Sequence, residues 1–448
     1  MNQLSAGFAR VNITPELGIR ISGYFVERIA DGVLDELEIN AVAVSDGSKK
    51  AVLMSVDSLG LHDDDLMAEY RKYVAEKAGI PYEAVFIAST HTHTGPEWSN
   101  PEKDCPEKRY ANFMKFRLAD AAVMALNDLK PAKLGWAIGK AEHVAFVRRY
   151  RMKNGEIHTN PGVDNPDIVA PIGDVDERVN VVRLIREGAD EIVIANMGLH
   201  PDVIGSTKIS ADWPGFTRRR VEKALDNVKC VFFNGAQGDI NHVNVHPRGG
   251  DLNDMFMDFD DVSRGYGHSR HIGNVMAGAV LSVYDKVKFT DVANINFAEK
   301  IIDVPSNMPD PKDIPEAKYI NELHTTGRDA ELPYKGMMLT TKVAEAARML
   351  RLEHGPASFK MVLSALSIGG VVFLGVPGEP FTGIGRGLKE AEGWELVCPC
   401  CLVNGDDGYF PMQEAYDEGG YETGTSRFKA GVAELLIAEG KKLADSIK

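Results

Sequence analysis

The sequence predicts an α/β fold: a large mixed β-sheet core flanked by helices, with a site at the C-terminal ends of its strands. Three observations predict it. Short apolar runs of strand length alternate with amphipathic stretches of helical period. No repeat at a solenoid period and no low-complexity segment interrupts them. Polar side chains able to hold a metal recur just past the apolar runs, at Asp57, His91, His200, Asp239 and Glu379. In open α/β sheets, sites form in the crevice beyond strand ends, so five such ends point to one shared site.

The elements follow in order. AVLMSVD (51–57) reads as a buried strand, and DDDLMAEYRKYVAEKAG as an amphipathic helix with an acidic first turn. AVFIAST (84–90) is the next buried strand and runs into His91; a helix spans about 107–128. RVNVVRLIR and EIVIANMGL form a hairpin within 178–199, whose second strand leads to His200. Pro214 opens a helix to about 226, CVFFNG is a strand leading to Asp239, and a helix covers 268–286. Residues 304–334 hold several prolines and charges and read as a surface insertion or lid. A helix near 338–353 precedes the apolar stretch MVLSALSIGGVVFLGVPGE, which Gly-Gly splits into two strands and so rules out as a membrane span. The strand WELVCPCCLV and a C-terminal helix, about 427–446, complete the chain, which reads as one domain over 1–448.

Composition narrows the function. A net charge of −15 argues against a nucleic-acid backbone or an anionic lipid surface as partner. Five cysteines, an odd and sparse number, do not make a secreted disulfide framework. The N-terminus lacks the basic and apolar regions of a signal peptide, so a cytoplasmic location is expected. Cys398, Cys400 and Cys401 lie in a buried-strand pattern and read as structural, not as a second zinc site.

His91 and His93 stand two apart; in an extended chain both face the same side, where they fit a metal site or a hydrogen-bonded pair. His200, before Pro201, fits a ligand or a satisfied, partly buried histidine. Glu379, between Gly378 and Pro380, fits a ligand aimed by a constrained turn or a helix-start carboxylate. Asp57 and Asp239 fit groups that orient ligand imidazoles, or strand-end caps. His242 and His246 are four apart, but Asn and Val between them disfavour a helix; the pair reads as surface histidines, with substrate contact by His242 the alternative.

Together, STHTHTGPE, GLHPD, GVPGEPFT and NGDDGYFPMQEAYDEGGYETGTS, in this order, resemble the neutral/alkaline ceramidases. The opening FARVNITPELGIRISGY and the strand AVLMSVD resemble that family's N-terminal segment, and the likeness runs from about Phe8 to Phe428. The resemblance implies one Zn²⁺ per chain on His91, His200, Glu379 and Tyr409. It implies His93 beside the substrate carbonyl, Tyr421, twelve residues beyond Tyr409, facing it, and an active-site arginine at Arg148, preferred over Arg149. It further implies the catalytic domain alone, without the secreted members' C-terminal β-sandwich.

The chemistry is coherent on its own terms. Two imidazoles and a carboxylate leave Zn²⁺ an open position, where water ionises near pH ~7. The hydroxide attacks a carbonyl, with His93, Tyr421 and Arg148 as oxyanion donors. The expected activity is hydrolysis of an N-acyl amide, either ceramide-like or smaller and soluble. Alternatives are a metallohydrolase acting on an ester or a sugar or cell-envelope derivative, and a binding protein that retains the fold without catalysis.

Overall fold

The structure is a computed structural model that describes residues 3–99, 101, 103–290 and 292–448. Its frame is a nine-stranded mixed sheet. Eight strands run in the order Val228–Asn234, Glu191–Met197, Arg178–Arg186, Lys130–Lys140, Ser5–Asn12, Glu38–Ser45, Lys50–Val56 and Val85–Ser89. The short strand Lys288–Thr290 pairs beside Lys130–Lys140. The interior pairs are antiparallel, but the outermost pair at each end is parallel: Lys50–Val56 with Val85–Ser89, and Glu191–Met197 with Val228–Asn234. Parallel pairing sets C-terminal strand ends side by side, so the residues leaving Val56 and Ser89 emerge together, as do those leaving Met197 and Asn234.

The expected large mixed sheet is present, and a second, smaller sheet packs on it. The apolar hairpin and the cysteine strand form a separate four-stranded sheet, in the order Ile295–Pro305, Ser358–Ile368, Val371–Gly375 and Leu396–Cys400. Side-chain alternation explains the layering. Phe233 faces the small sheet, its ring 5.9 Å from that of Phe373. Its neighbour Phe232 faces the opposite way onto Trp213, 4.7 Å between centroids, in the helix Asp212–Ala224. On the small sheet, Met361, Leu363 and Leu374 turn outward against the helices Thr382–Lys389 and Val432–Ser446. Helices therefore cover the outer face of each sheet, and the sheets share the interior.

The edge strand Leu396–Cys400 contains Pro399, which an edge tolerates. Its outward carbonyls are not left bare. Asn180 Nδ2 donates to Val397 O at 3.2 Å and Asn196 Nδ2 to Pro399 O at 2.9 Å, stitching the small sheet to the large one. Cys230, Cys398, Cys400 and Cys401 are buried free thiols, in keeping with a structural role.

Segment 304–334 is more regular than its composition suggests. It includes the helix Ile314–Thr325, whose Ile320 and Leu323 pack against Val343 and Ala346 of the helix Gly336–Leu352. Among the described residues, no helix is long and apolar enough to cross a membrane.

Candidate metal centre

Three of the predicted strand-end side chains, His91, His200 and Glu379, converge, and His93 joins them. His91 Nε2 lies 3.2 Å from His200 Nε2, 3.3 Å from His93 Nε2 and 3.2 Å from Glu379 Oε2. Glu379 Oε2 is also 3.6 Å from His200 Nε2. All four side chains are buried. Among the described residues, His91, His93 and His200 form the one group whose ligand atoms all lie within 4.8 Å of one another.

Asn234 explains how two distant loops meet. It ends the strand Val228–Asn234, and its Nδ2 donates to Thr90 O and to Leu199 O, both at 3.1 Å. One buried amide thus holds the residues that precede His91 and His200. Gln237 Nε2 reaches Glu379 Oε2 at 3.5 Å from the same loop.

The His-Thr-His segment is not the extended chain expected of it. His91 has φ 74°, in the left-handed region that a side chain with a Cβ adopts at a cost. The strand stops at Ser89, and a turn, not a pleat, brings both imidazoles to one point. Gly23 backs this arrangement. Its φ is +108°, and a Cβ there would lie 2.7 Å from His93 Nδ1.

The imidazoles are oriented by carbonyls, which corrects the expectation for two aspartates. His91 Nδ1 faces Leu59 O at 2.7 Å, and His200 Nδ1 faces Gln237 O at 3.5 Å. Asp57 instead accepts two bonds from buried Arg218, at 2.9 and 2.6 Å, and one from Glu38 N. Asp239 accepts from Thr382 N and Oγ1, at 2.7 and 2.8 Å. A buried guanidinium and a helix start satisfy these carboxylates, so neither is left for a histidine.

Tyr409 and Tyr421 stand together, 5.6 Å between ring centroids. Arg148 lies beneath them, its guanidinium carbon 5.2 Å from the Tyr409 centroid, bonded to Glu422 and to Gly238 O. Arg149 turns away, bonding Gly419 O and stacking over Phe381. His242 is not a surface residue: it is 1% exposed, with Nδ1 on Asp202 at 3.0 Å and Nε2 on Ser263 O at 2.8 Å. His246 is exposed, as expected.

The electrostatics suit a metal. Burial pushes the His93 and His200 pKa values well down; the charge of His91 adds to this for His93, and Arg148 for His200. Both are therefore held neutral, with a lone pair to give. Burial also acts downward on His91, but the Glu379 carboxylate outweighs it and the net shift is upward. Burial, then the Glu379 charge, raises Tyr409 and keeps it a phenol. The ligand atoms of His91, His200 and Glu379, 3.2 to 3.6 Å apart, are a donor set that fits Zn²⁺.

Several residues at the site went unmarked in the sequence. Arg28 Nη2 donates to His93 O at 2.7 Å, and its guanidinium stacks 4.0 Å from the Tyr24 ring centroid. The Tyr24 ring lies 5.2 Å from the His93 ring. No spacing signals these two; Asp202 and Glu422 do follow predicted site residues, at two and one positions' distance. The centre opens into a cavity of ≈ 670 Å³, whose walls include Tyr24, Phe359, Asp406 and the helix Gly336–Leu352.

The chain is thus a mixed α/β protein with a buried histidine–carboxylate centre at the strand ends of its large sheet. Its fold is that of neutral ceramidase. The crystal structure of neutral ceramidase from Pseudomonas aeruginosa superposes with a TM-score of 0.73 at 16% identity, covering 100% of this chain and 75% of that one. A structure of a ceramidase complexed with C2 gives 0.71 at 14% identity, covering 100% and 76%. No family model and no curated protein matches the sequence.

Proposed function

We propose that this chain is a zinc-dependent hydrolase of an N-acyl amide. One observation carries the reading: His91, His93, His200 and Glu379 meet, buried, at the end of a cavity large enough for a small organic substrate. The ceramidase fold supports amide cleavage as the reaction class.

His91, His200 and Glu379 would hold the ion, with Tyr409 as the fourth group. The contacts of Glu379 Oε2 favour this division, because it touches His91 and His200. When bound, the ion supplies Lewis-acid chemistry, acidifying water and polarising the scissile carbonyl. The chain's own residues do the rest. His93, backed by Tyr24 and Arg28, would face the carbonyl. Half-buried Tyr421 and buried Arg148 would be the donors to the developing oxyanion, where one such donor is worth about 3–4 kcal/mol. Glu422 fixes the Arg148 guanidinium.

Metal analysis of protein purified without added metal tests the reading. About one zinc per chain is expected, together with hydrolysis of short-chain fluorogenic N-acyl amides. Both should be lost in His91→Ala and Glu379→Gln, whereas His93→Ala should keep the metal and lose rate. Native protein free of metal, or zinc protein inert toward every amide in the panel, overturns it.

A further inference from the structure

One wall of the cavity has a composition that a neutral lipid substrate does not call for. The helix Gly336–Leu352 presents Ala344, Ala347, Arg348, Arg351 and Leu352 to it, the spacing of one helical face. Arg348 is 5% exposed, yet no carboxylate lies within ion-pair distance among the described residues. Its bonds go to carbonyls instead, Nη1 to Asn307 O at 2.7 Å and Nε to Gly424 O at 2.9 Å. These hold the guanidinium in place without neutralising it. Glu345, the nearest acidic neighbour on the helix, is taken by Lys342 Nζ at 3.0 Å. Arg351, one turn on, makes no ion pair with any described residue. Arg427, across the cavity, is already paired with Asp407. Burial and the adjacent Arg351 charge both disfavour the charged form of Arg348, against Glu345 and Tyr416.

A chain of net charge −15 has thus left two neighbouring guanidinium groups, buried Arg348 and exposed Arg351, without a carboxylate partner among the described residues on the wall of the cavity that holds its histidine centre. A buried cation without a partner is costly and is explained by a partner that arrives with the ligand. Alanines beside the arginines leave room for that ligand, and Leu352 and Phe359 supply apolar contact.

We propose that Arg348 and Arg351 bind a carboxylate of the substrate, so that the amide cleaved here carries an acid group at the end remote from the scissile bond. This rests on the hydrolase reading for the identity of the bond but not for the anion site itself. A planar guanidinium pair suits a carboxylate in particular, because its donors match both oxygens.

Calorimetry on the protein as purified tests it. The probes are the straight-chain diacids from succinate to sebacate, each against its own dimethyl ester, which offers no carboxylate. At least one diacid should bind about tenfold tighter than its ester, a difference of about 1.4 kcal/mol. Arg351→Gln, at an exposed position, and Arg348→Gln should each remove most of that preference, and Arg351→Lys should restore only part. Equal or undetectable binding of acid and ester at every length overturns the proposal, as does a preference that survives both glutamine variants. If the diacid preference is present while no amide is hydrolysed, the hydrolase reading falls and the anion site stands.

Discussion

Arg148 Nε donates to Glu422 Oε1 at 2.7 Å, and neither side chain reaches solvent by more than 5%. The other carboxylate oxygen of Glu422 accepts from Thr159 Oγ1 at 2.9 Å. Glu422 follows Tyr421 directly, and Arg148 lies under Tyr409. The pair therefore fixes a cation beneath both tyrosines, and its loss bears on stability and on the site together.

Glu422→Gln should destabilise the fold by about 3–5 kcal/mol, because a buried guanidinium then lacks its counter-charge. It should also lower kcat at permissive temperature with little change in KM, as a misplaced donor is felt in the transition state. Denaturant unfolding and steady-state kinetics on one preparation separate the two effects. A variant of unchanged stability and rate would show that the pair matters to neither.

Asp57 and Arg218 make the contrasting case. Their two bonds, at 2.9 and 2.6 Å, lie wholly inside the protein. Asp57→Asn should cost a similar ~3–5 kcal/mol. The fraction that remains folded should bind zinc with unaltered stoichiometry, since no imidazole rests on this carboxylate. Loss of metal from folded Asp57→Asn protein would reinstate the aspartate as a support for a histidine.

These two aspartates show where sequence reading stops. Strand ends were legible because a strand is a local pattern, and the side chain just past it has a known address. This was enough to assemble His91, His200 and Glu379 from three separate parts of the chain. What a buried carboxylate bonds to is a long-range matter. Arg218 lies 161 residues from Asp57, on the helix Asp212–Ala224. Arg28 and Tyr24 were invisible for the same reason: nothing local announces that a loop will fold over His93. The large mixed sheet was legible, but not that some strands form a second, smaller sheet: strands such as Lys50–Val56 and Val371–Gly375 are buried on both faces, and their pattern does not reveal which layer they join.

Asp46 predicts an acid limb in stability. Its Oδ1 accepts from Ser48 N and Lys49 N, and its Oδ2 from Ile295 N at 3.1 Å, tying a hairpin turn of the large sheet to the first strand of the small one. Burial acts upward on its pKa, but the amide bonds outweigh it and bring the group from 3.8 to about 2. A depressed folded pKa contributes stability above the unfolded value and loses it as pH falls through the folded one. The unfolded chain binds the extra proton between about pH 4 and about pH 2, and about 2 kcal/mol is lost there. The stability gap between wild type and Asp46→Asn should therefore narrow over that window and stay flat above about pH 5. A gap independent of pH would mean that Asp46 contributes no charge-dependent stability.

Gly23 is the most economical test of how His93 is placed. The residue has φ +108°, which disfavours any side chain, and an added Cβ would sit 2.7 Å from His93 Nδ1 and 2.9 Å from its Cγ. His93 cannot retreat freely, because Arg28 Nη2 holds its carbonyl at 2.7 Å and the Tyr24 ring stands 5.2 Å away. In Gly23→Ala the imbalance falls on the imidazole, which must rotate or shift by a fraction of an ångström. Glu379 and His200 lie on other segments, and His91, though two residues away, is held by Leu59 O at 2.7 Å, so these three keep their mutual contacts. The variant should retain its zinc and lose activity, by about 10- to 100-fold if the shift approaches 1 Å. Full activity would show that His93 tolerates displacement and does not face the reacting carbonyl; loss of zinc would show that His93, not Tyr409, completes the ligand set.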